Sequence, residues 1–212
     1  MREWQALHGM KKYTFADYVF QFITVTAGVL IALFIDGLAE TNNNRALVAA
    51  AHKSIAREVA DNLKEIEGLP KSIASADGDI ANCLKFADDL LATGKTDVSS
   101  LQLNFNLATL NSSSWLTADR TGALSHMSYG EVKEYAELYS LQQLFETVQR
   151  RAVDMVADSI ALVSSGSDPT KAARQDLLKF REQLMRYRAS LVVTEDLGKT
   201  LTKAYREFQP LK

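Results

Sequence analysis

Three histidines (His8, His52 and His126), one cysteine (Cys83) and an acidic triplet (Glu58, Asp61 and Glu65) are the side chains in this sequence best suited to bind a metal or move a proton. Metal centres and acid–base pairs need such groups clustered at short, defined spacings. The histidines stand apart, with no HExxH, Glu-x-x-His or CxxC arrangement around them. Phosphate-cradling glycine loops, GxGxxG turns and G-x-S-x-G elbows are also missing from the sequence. Glu58, Asp61 and Glu65 fall at three- and four-residue spacing and could in principle hold a cation with His52. Interleaved with Lys53, Arg57 and Lys64, they read instead as a solvated face of mixed charge. Cys83 is in step with Ile80, Leu84 and Ala87, which reads as core filler, and it has no partner for an intramolecular disulfide. The expectation is therefore a chain with no catalytic residue, metal or cofactor, and not an enzyme.

One run mixes aromatic, charged and turn residues densely: Trp115 to Met127, reading WLTADRTGALSHM. As a ligand or partner contact it would use Trp115 as a wall, Arg120 as an anion anchor, and Asp119 or His126 as polar contacts. The plainer reading has Trp115 and Leu124 plugging the end of a helical bundle, with Gly122 capping a helix.

These residues need elements to position them, and composition indicates which. Ten Gly and three Pro among 212 residues are few for a strand-and-turn protein, and the helix formers Ala, Leu, Glu, Lys and Gln are abundant. The formal net charge of −2 gives no basic footprint for neutralising phosphates, which argues against nucleic acid as a partner. Between Asp17 and Asp36 the chain reads YVFQFITVTAGVLIALFI, eighteen residues without a charge. Such a run is long enough to cross a hydrocarbon layer of about 30 Å. It exceeds the usual apolar length of a cleaved signal, so an uncleaved transmembrane helix over 18–35 is expected. Arg2, Lys11 and Lys12 precede it, while Arg45 and Lys53 follow at greater distance. That bias favours a cytoplasmic segment over 1–17, aided by the interfacial rings of Trp4, Tyr13 and Tyr18, and a periplasmic domain over 36–212 in a bacterial inner membrane. Gln21, Thr24, Gly28 and Ala32 form a polar or small stripe along the span. It suggests association with a second copy or another membrane subunit, besides contact with lipid.

Beyond the span, apolar spacing through Leu47, Ile55, Val59, Leu63 and Ile66 predicts a stalk continuing to about Glu67, with a hinge at Asn42, Asn43 and Asn44 as an alternative. Gly68-Leu69-Pro70 ends it, and a second helix to Gly94 is expected to fold back as an antiparallel partner. Residues 101–107 alternate apolar and polar. They read either as a lone strand able to pair with another chain or as an extended loop laid on the helices. A short helix follows Ser112 and stops at Gly122. Ser128 and Glu131 form a capping box opening a long helix through Tyr135, Tyr139, Phe145 and Ala152. Residues 164–169 read as a loop, and a last helical region spans Lys171 to Phe208, either continuous or broken at Val192-Val193-Thr194 with a restart near Glu195. The fold expected is all-α: a transmembrane helix and stalk, then an antiparallel bundle with one extended segment.

The stretch from Gly28 to Gly37, with Trp115, Thr121-Gly122-Ala123-Leu124, Tyr135 and Tyr139, resembles a group of uncharacterised bacterial single-pass membrane proteins with a GILIAL-type span and a C-terminal helical domain. This chain has Gly37-Leu38 where those proteins often carry a tryptophan. The resemblance implies a bacterial membrane-anchored helical domain. With the patterned span, it points to an accessory or scaffold subunit of a membrane complex. The alternative is a periplasmic bundle that binds a small molecule.

Overall fold

A computed structural model describes residues 15–104, 106–164 and 168–208. The expected N-terminal segment over 1–17, with Trp4 and Tyr13, thus lies almost wholly outside the described residues, as does the centre of the 164–169 loop. The chain divides into two compact units, Met1–Leu47 and Val48–Lys212.

The first unit is described as one helix, the beginning of α1 (Phe15–Ile66), starting at the residue where the sequence places it. Among the described residues nothing covers its apolar run: Phe20, Phe22, Leu30, Leu33 and Phe34 are all exposed. Thr24 Oγ1 donates to the Phe20 carbonyl at 2.8 Å and Thr41 Oγ1 to that of Gly37 at 2.8 Å, so these hydroxyls are satisfied within the helix.

The second unit is an all-α bundle made of the end of α1, α2 (Leu69–Thr93), α3 (Ser113–Arg120), α4 (Tyr129–Ser164) and α5 (Arg174–Glu207), with no strand among the described residues. Each helix buries the face its apolar spacing marks: Ile55, Val59 and Ile66 on α1, Ile73, Ile80 and Phe86 on α2, and Tyr135, Phe145 and Ala152 on α4. On α5 the buried face is Leu177, Phe180, Leu184, Tyr187 and Leu191. The Ser128 capping box is present, Ser128 N–H donating to Glu131 Oε2 at 2.8 Å and Glu131 N–H to Ser128 Oγ at 3.3 Å.

One expectation is corrected and one alternative is decided. First, α2 does not fold back on α1. Gly68 has φ −76° and ψ −17°, a helical conformation that cannot reverse the chain, and Ser72 N–H donates to the Gly68 carbonyl in helical fashion. Pro70 sits in the first turn of α2, where no amide donor is required. The result is a single bent helical element. Its neighbour α5 runs antiparallel to it, from Arg174 beside the Leu91 carbonyl, through the Arg181–Asp88 and Arg188–Asp77 pairs, to Arg206 on Glu67. Meanwhile α4 runs parallel to it, with His52 beside Glu131, Glu58 on Tyr139 and Asn62 on Gln142. Second, α5 continues through Val192-Val193-Thr194 without a break. Thr194 is buried and its hydroxyl donates to the Ser190 carbonyl at 2.9 Å, so the β-branched run is accommodated by a local bond.

The described residues between Gly94 and Ser112, all but Phe105, return along this bundle as an extended strap. Gly94, at φ 69°, turns the chain off α2 in the left-handed region that favours glycine. Leu101 and Leu103 are half-buried and Gln102 and Asn104 exposed, so the alternation expected of the loop holds over 101–104, while Leu107 is exposed at 43% and departs from it.

Candidate functional site

The strap is held by a polar seam on α1 and α2. Glu58, Asn62, Glu65, Leu69, Ser72, Ala76, Asp79 and Cys83 recur at alternating steps of four and three, and all six polar members bond the main chain passing over them. Cys83 Sγ donates to the Gln102 carbonyl at 3.6 Å, Asp79 accepts from the Asn104 amide at 3.2 Å, and Ser72 donates to the Asn106 carbonyl at 3.1 Å. Glu65 accepts from the Thr109 amide at 3.2 Å and Glu58 from the Ser114 amide at 2.8 Å. Asn62 acts in both senses, accepting from the Asn111 amide at 2.8 Å and donating to the Asn111 carbonyl at 2.8 Å. From α4, Gln149 does the same for Ala108, at 2.9 and 3.2 Å. Two side-chain amides thus imitate the rungs of a β-ladder.

The lengths agree. The nine extended steps from Gln102 to Asn111 cover about 30 Å. The twenty-one helical steps from Asn62 to Cys83 cover about 32 Å. This match requires the bent helix to run onward rather than fold back.

Glu58 departs from the sequence reading. It does not lie on a solvated acidic face: it is 8% exposed and accepts from the Tyr139 hydroxyl at 2.6 Å as well as from the Ser114 amide. A buried carboxylate needs such donors. Burial, together with the bond to Glu58, pushes the Tyr139 phenol well above its usual range. Asp61 and Glu65 do remain exposed. Deeper in the bundle, Gln142 Oε1 accepts from the Tyr205 hydroxyl at 2.7 Å and from Asn62 at 3.2 Å. Cys83 is core filler as expected, and burial followed by the Asp79 charge pushes its thiol up to about 11, which keeps it protonated and unreactive at neutral pH.

Of the four contact residues read from the sequence, Trp115 turns inward. Its ring stacks on Tyr139 at 5.5 Å between centroids and meets Tyr135 edge-on at 6.2 Å. Tyr135 also touches His52 and Phe208, at 6.2 and 5.5 Å. Asp119, Arg120 and His126 stay exposed on α3 and the following 3-10 turn, and no side-chain hydrogen bond or ion pair joins them to any described residue. Gly122, at φ 77°, supplies the left-handed turn between the two. The described concavities lie elsewhere. One, of about 480 Å³, is at the bend, walled by Leu69, Pro70, Lys199 and Arg206. The other, of about 360 Å³, lies under the start of the strap, between Val98, Leu103, Ile160 and Phe180.

In the first unit, Gln21, Thr24, Gly28 and Ala32 lie at three- and four-residue spacing on the apolar helix, all exposed, and a Cβ added at Gly28 would meet nothing within 4 Å. This helix is long and apolar enough to cross a membrane, and none of its most apolar eighteen-residue window is buried. Among the described residues no cluster of three or more His, Cys, Asp or Glu side chains could hold a metal ion. No protein-family model matches the chain, and neither a curated protein nor a solved structure is significantly similar to it.

Proposed function

We propose that the chain is a membrane-anchored accessory or scaffold subunit of a bacterial membrane complex, acting through helix and domain contacts rather than through chemistry. The observation that carries this reading is the uncovered apolar helix. A soluble protein would bury such a face, whereas here every side chain from Tyr18 to Ile35 is exposed, so hydrocarbon is its natural solvent. The polar stripe supports association within the layer, because Gln21 in lipid gains from a hydrogen-bond partner and Gly28 admits a close neighbour. The basic N-terminal residues favour a cytoplasmic N-terminus and a periplasmic bundle. Within the bundle, Glu58, Asn62, Gln142 and Gln149 are engaged in holding the strap and the core together, a structural task.

Mild detergent extraction followed by sizing tests the proposal. The chain is expected to migrate in a complex larger than a monomer, and Gly28→Leu is expected to reduce its size. A monomer unaffected by that substitution would remove the support for association.

A further inference from the structure

The start of the strap closes a cavity of about 360 Å³ against α2, α4 and α5. Cys83, Phe86 and Phe180 form its inner walls, each at most 2% exposed, and Leu101 and Leu103 line it from the strap. Ile160 stands on its outer side, 40% exposed, an apolar side chain left uncovered where the cavity opens. The volume falls at the small end of the range for ligand sites, and the walls have the make-up of such sites, mostly apolar with a few polar groups. Two of those polar groups are the hydroxyls of Ser99 and Ser100, which bond no described residue. Charge narrows the class of guest. Asp168 is the charged residue among these walls, and it already accepts from the Thr170 amide at 3.0 Å and hydroxyl at 2.7 Å and pairs with Lys171 at 3.5 Å. An ionised guest would therefore lose its hydration without gaining a counter-charge. An uncharged one exchanges water for apolar walls at no such cost.

We propose that the cavity under the strap binds an uncharged, mainly apolar molecule of one or two aromatic rings carrying a single hydrogen-bonding group, such as a phenol or an indole. The rings of the guest pack on Phe86 and Phe180, and its polar group is met by Ser99 or Ser100. Trp115, Asp119, Arg120 and His126 take no part in this site. It goes beyond the scaffold reading and does not rest on it: a chain that binds such a guest can still be a subunit of a complex, and failure of either leaves the other standing.

Photolabelling of the full-length chain in lipid nanodiscs tests this, with a trifluoromethyl-diazirinyl phenol as the uncharged probe and mass spectrometry to locate the label. Label on the apolar helix, acquired from lipid, is expected to grow with probe concentration and serves as the internal reference. Label on Phe86, Leu103, Ile160 or Phe180 is expected to saturate. Added naphthol is expected to lower that label by the factor 1 + [L]/Kd, roughly fivefold at about four times its Kd. Naphthalenesulfonate, with the same rings and a fixed charge, is expected to leave it unchanged. Ile160→Trp fills the opening and is expected to remove the saturable label, with helical circular dichroism equal to that of the parent. Leu103→Trp fills the cavity from the strap and gives the same readout should the first variant not fold. Bundle label that is scattered and never saturates, equal competition by the sulfonate, or saturable label at these residues in a folded tryptophan variant would each overturn the proposal.

Discussion

Replacing Gln149 by leucine isolates the physical basis of the strap. Gln149 is 2% exposed, and its amide supplies both the acceptor for the Ala108 N–H and the donor for the Ala108 carbonyl, on a residue itself 9% exposed. Leucine fills similar volume and offers neither bond, so two buried main-chain groups lose their partners together. Each unsatisfied group costs about 1–3 kcal/mol. The better burial of leucine returns roughly 1 kcal/mol. The net expectation is a loss of about 3 kcal/mol. For a domain of this size it lowers the melting temperature by roughly 6–12 °C. Urea unfolding of the detergent-solubilised chain, followed by helical circular dichroism, measures the first quantity, and a thermal scan the second. Exchange of the Ala108 amide with deuterium is expected to accelerate in the variant. An exposed control outside the seam, Lys71→Gln, is expected to stay within about 0.5 kcal/mol of the parent. If Gln149→Leu is as stable as that control, the strap is not held by side-chain imitation of a β-ladder and the derivation is wrong.

The bend supplies a second prediction. A Cβ at residue 198 would come within 2.3 Å of Leu69 Cδ2 and 3.4 Å of Phe145 Cε2, so Gly198→Ala overpacks a buried contact. A destabilisation of about 1–3 kcal/mol is expected. Leu69→Ala in the same chain should remove part of that cost, visible as non-additivity in a double-mutant unfolding cycle, and strict additivity would contradict the contact. The capping box gives a pH dependence. Bonds from Ser128 hold the Glu131 carboxyl below its ordinary range. Its stabilising effect is therefore full above the unfolded carboxylate pKa and is lost as pH falls through the lower folded value. Ser128→Ala is expected to flatten that acid limb of the stability profile, and an unchanged limb would show that Ser128 is not the cause.

What was legible in the sequence is what local chemistry determines. Eighteen uncharged residues define the apolar helix, Ser128 with Glu131 defines the start of α4, and Gly94 and Gly122 mark turns at positive φ. The buried role of Glu58 was not legible, because a carboxylate among Lys53, Arg57 and Lys64 looks like any exposed helix face, and its donors, Tyr139 and the Ser114 amide, are more than fifty residues away. The direction of α2 was misread for a related reason. Gly68-Leu69-Pro70 is compatible with a turn, and only the helical φ of Gly68 and the close seating of Leu69 on Gly198 make it a bend. A signal was present in the alternating four- and three-residue recurrence of Glu58, Asn62, Glu65, Leu69, Ser72, Ala76, Asp79 and Cys83. A seam of that period marks a helix face that keeps facing one neighbour, and polar members facing an extended segment indicate bonds to its main chain. The contact residues near Trp115 were legible only as a dense patch. Stacking on Tyr139 drew the ring inward and left Asp119, Arg120 and His126 at the surface.

Residues 18–35 anchor the chain only if they reside in hydrocarbon, and washing membranes of cells expressing the full chain with alkaline carbonate tests this most directly. That treatment strips proteins held by surface contacts and leaves those held by a spanning helix. The chain is expected to remain in the membrane pellet, and to move to the supernatant when Val25 and Val29 are both replaced by arginine. Release of the unaltered chain into the carbonate wash would contradict the anchor and the scaffold reading built on it.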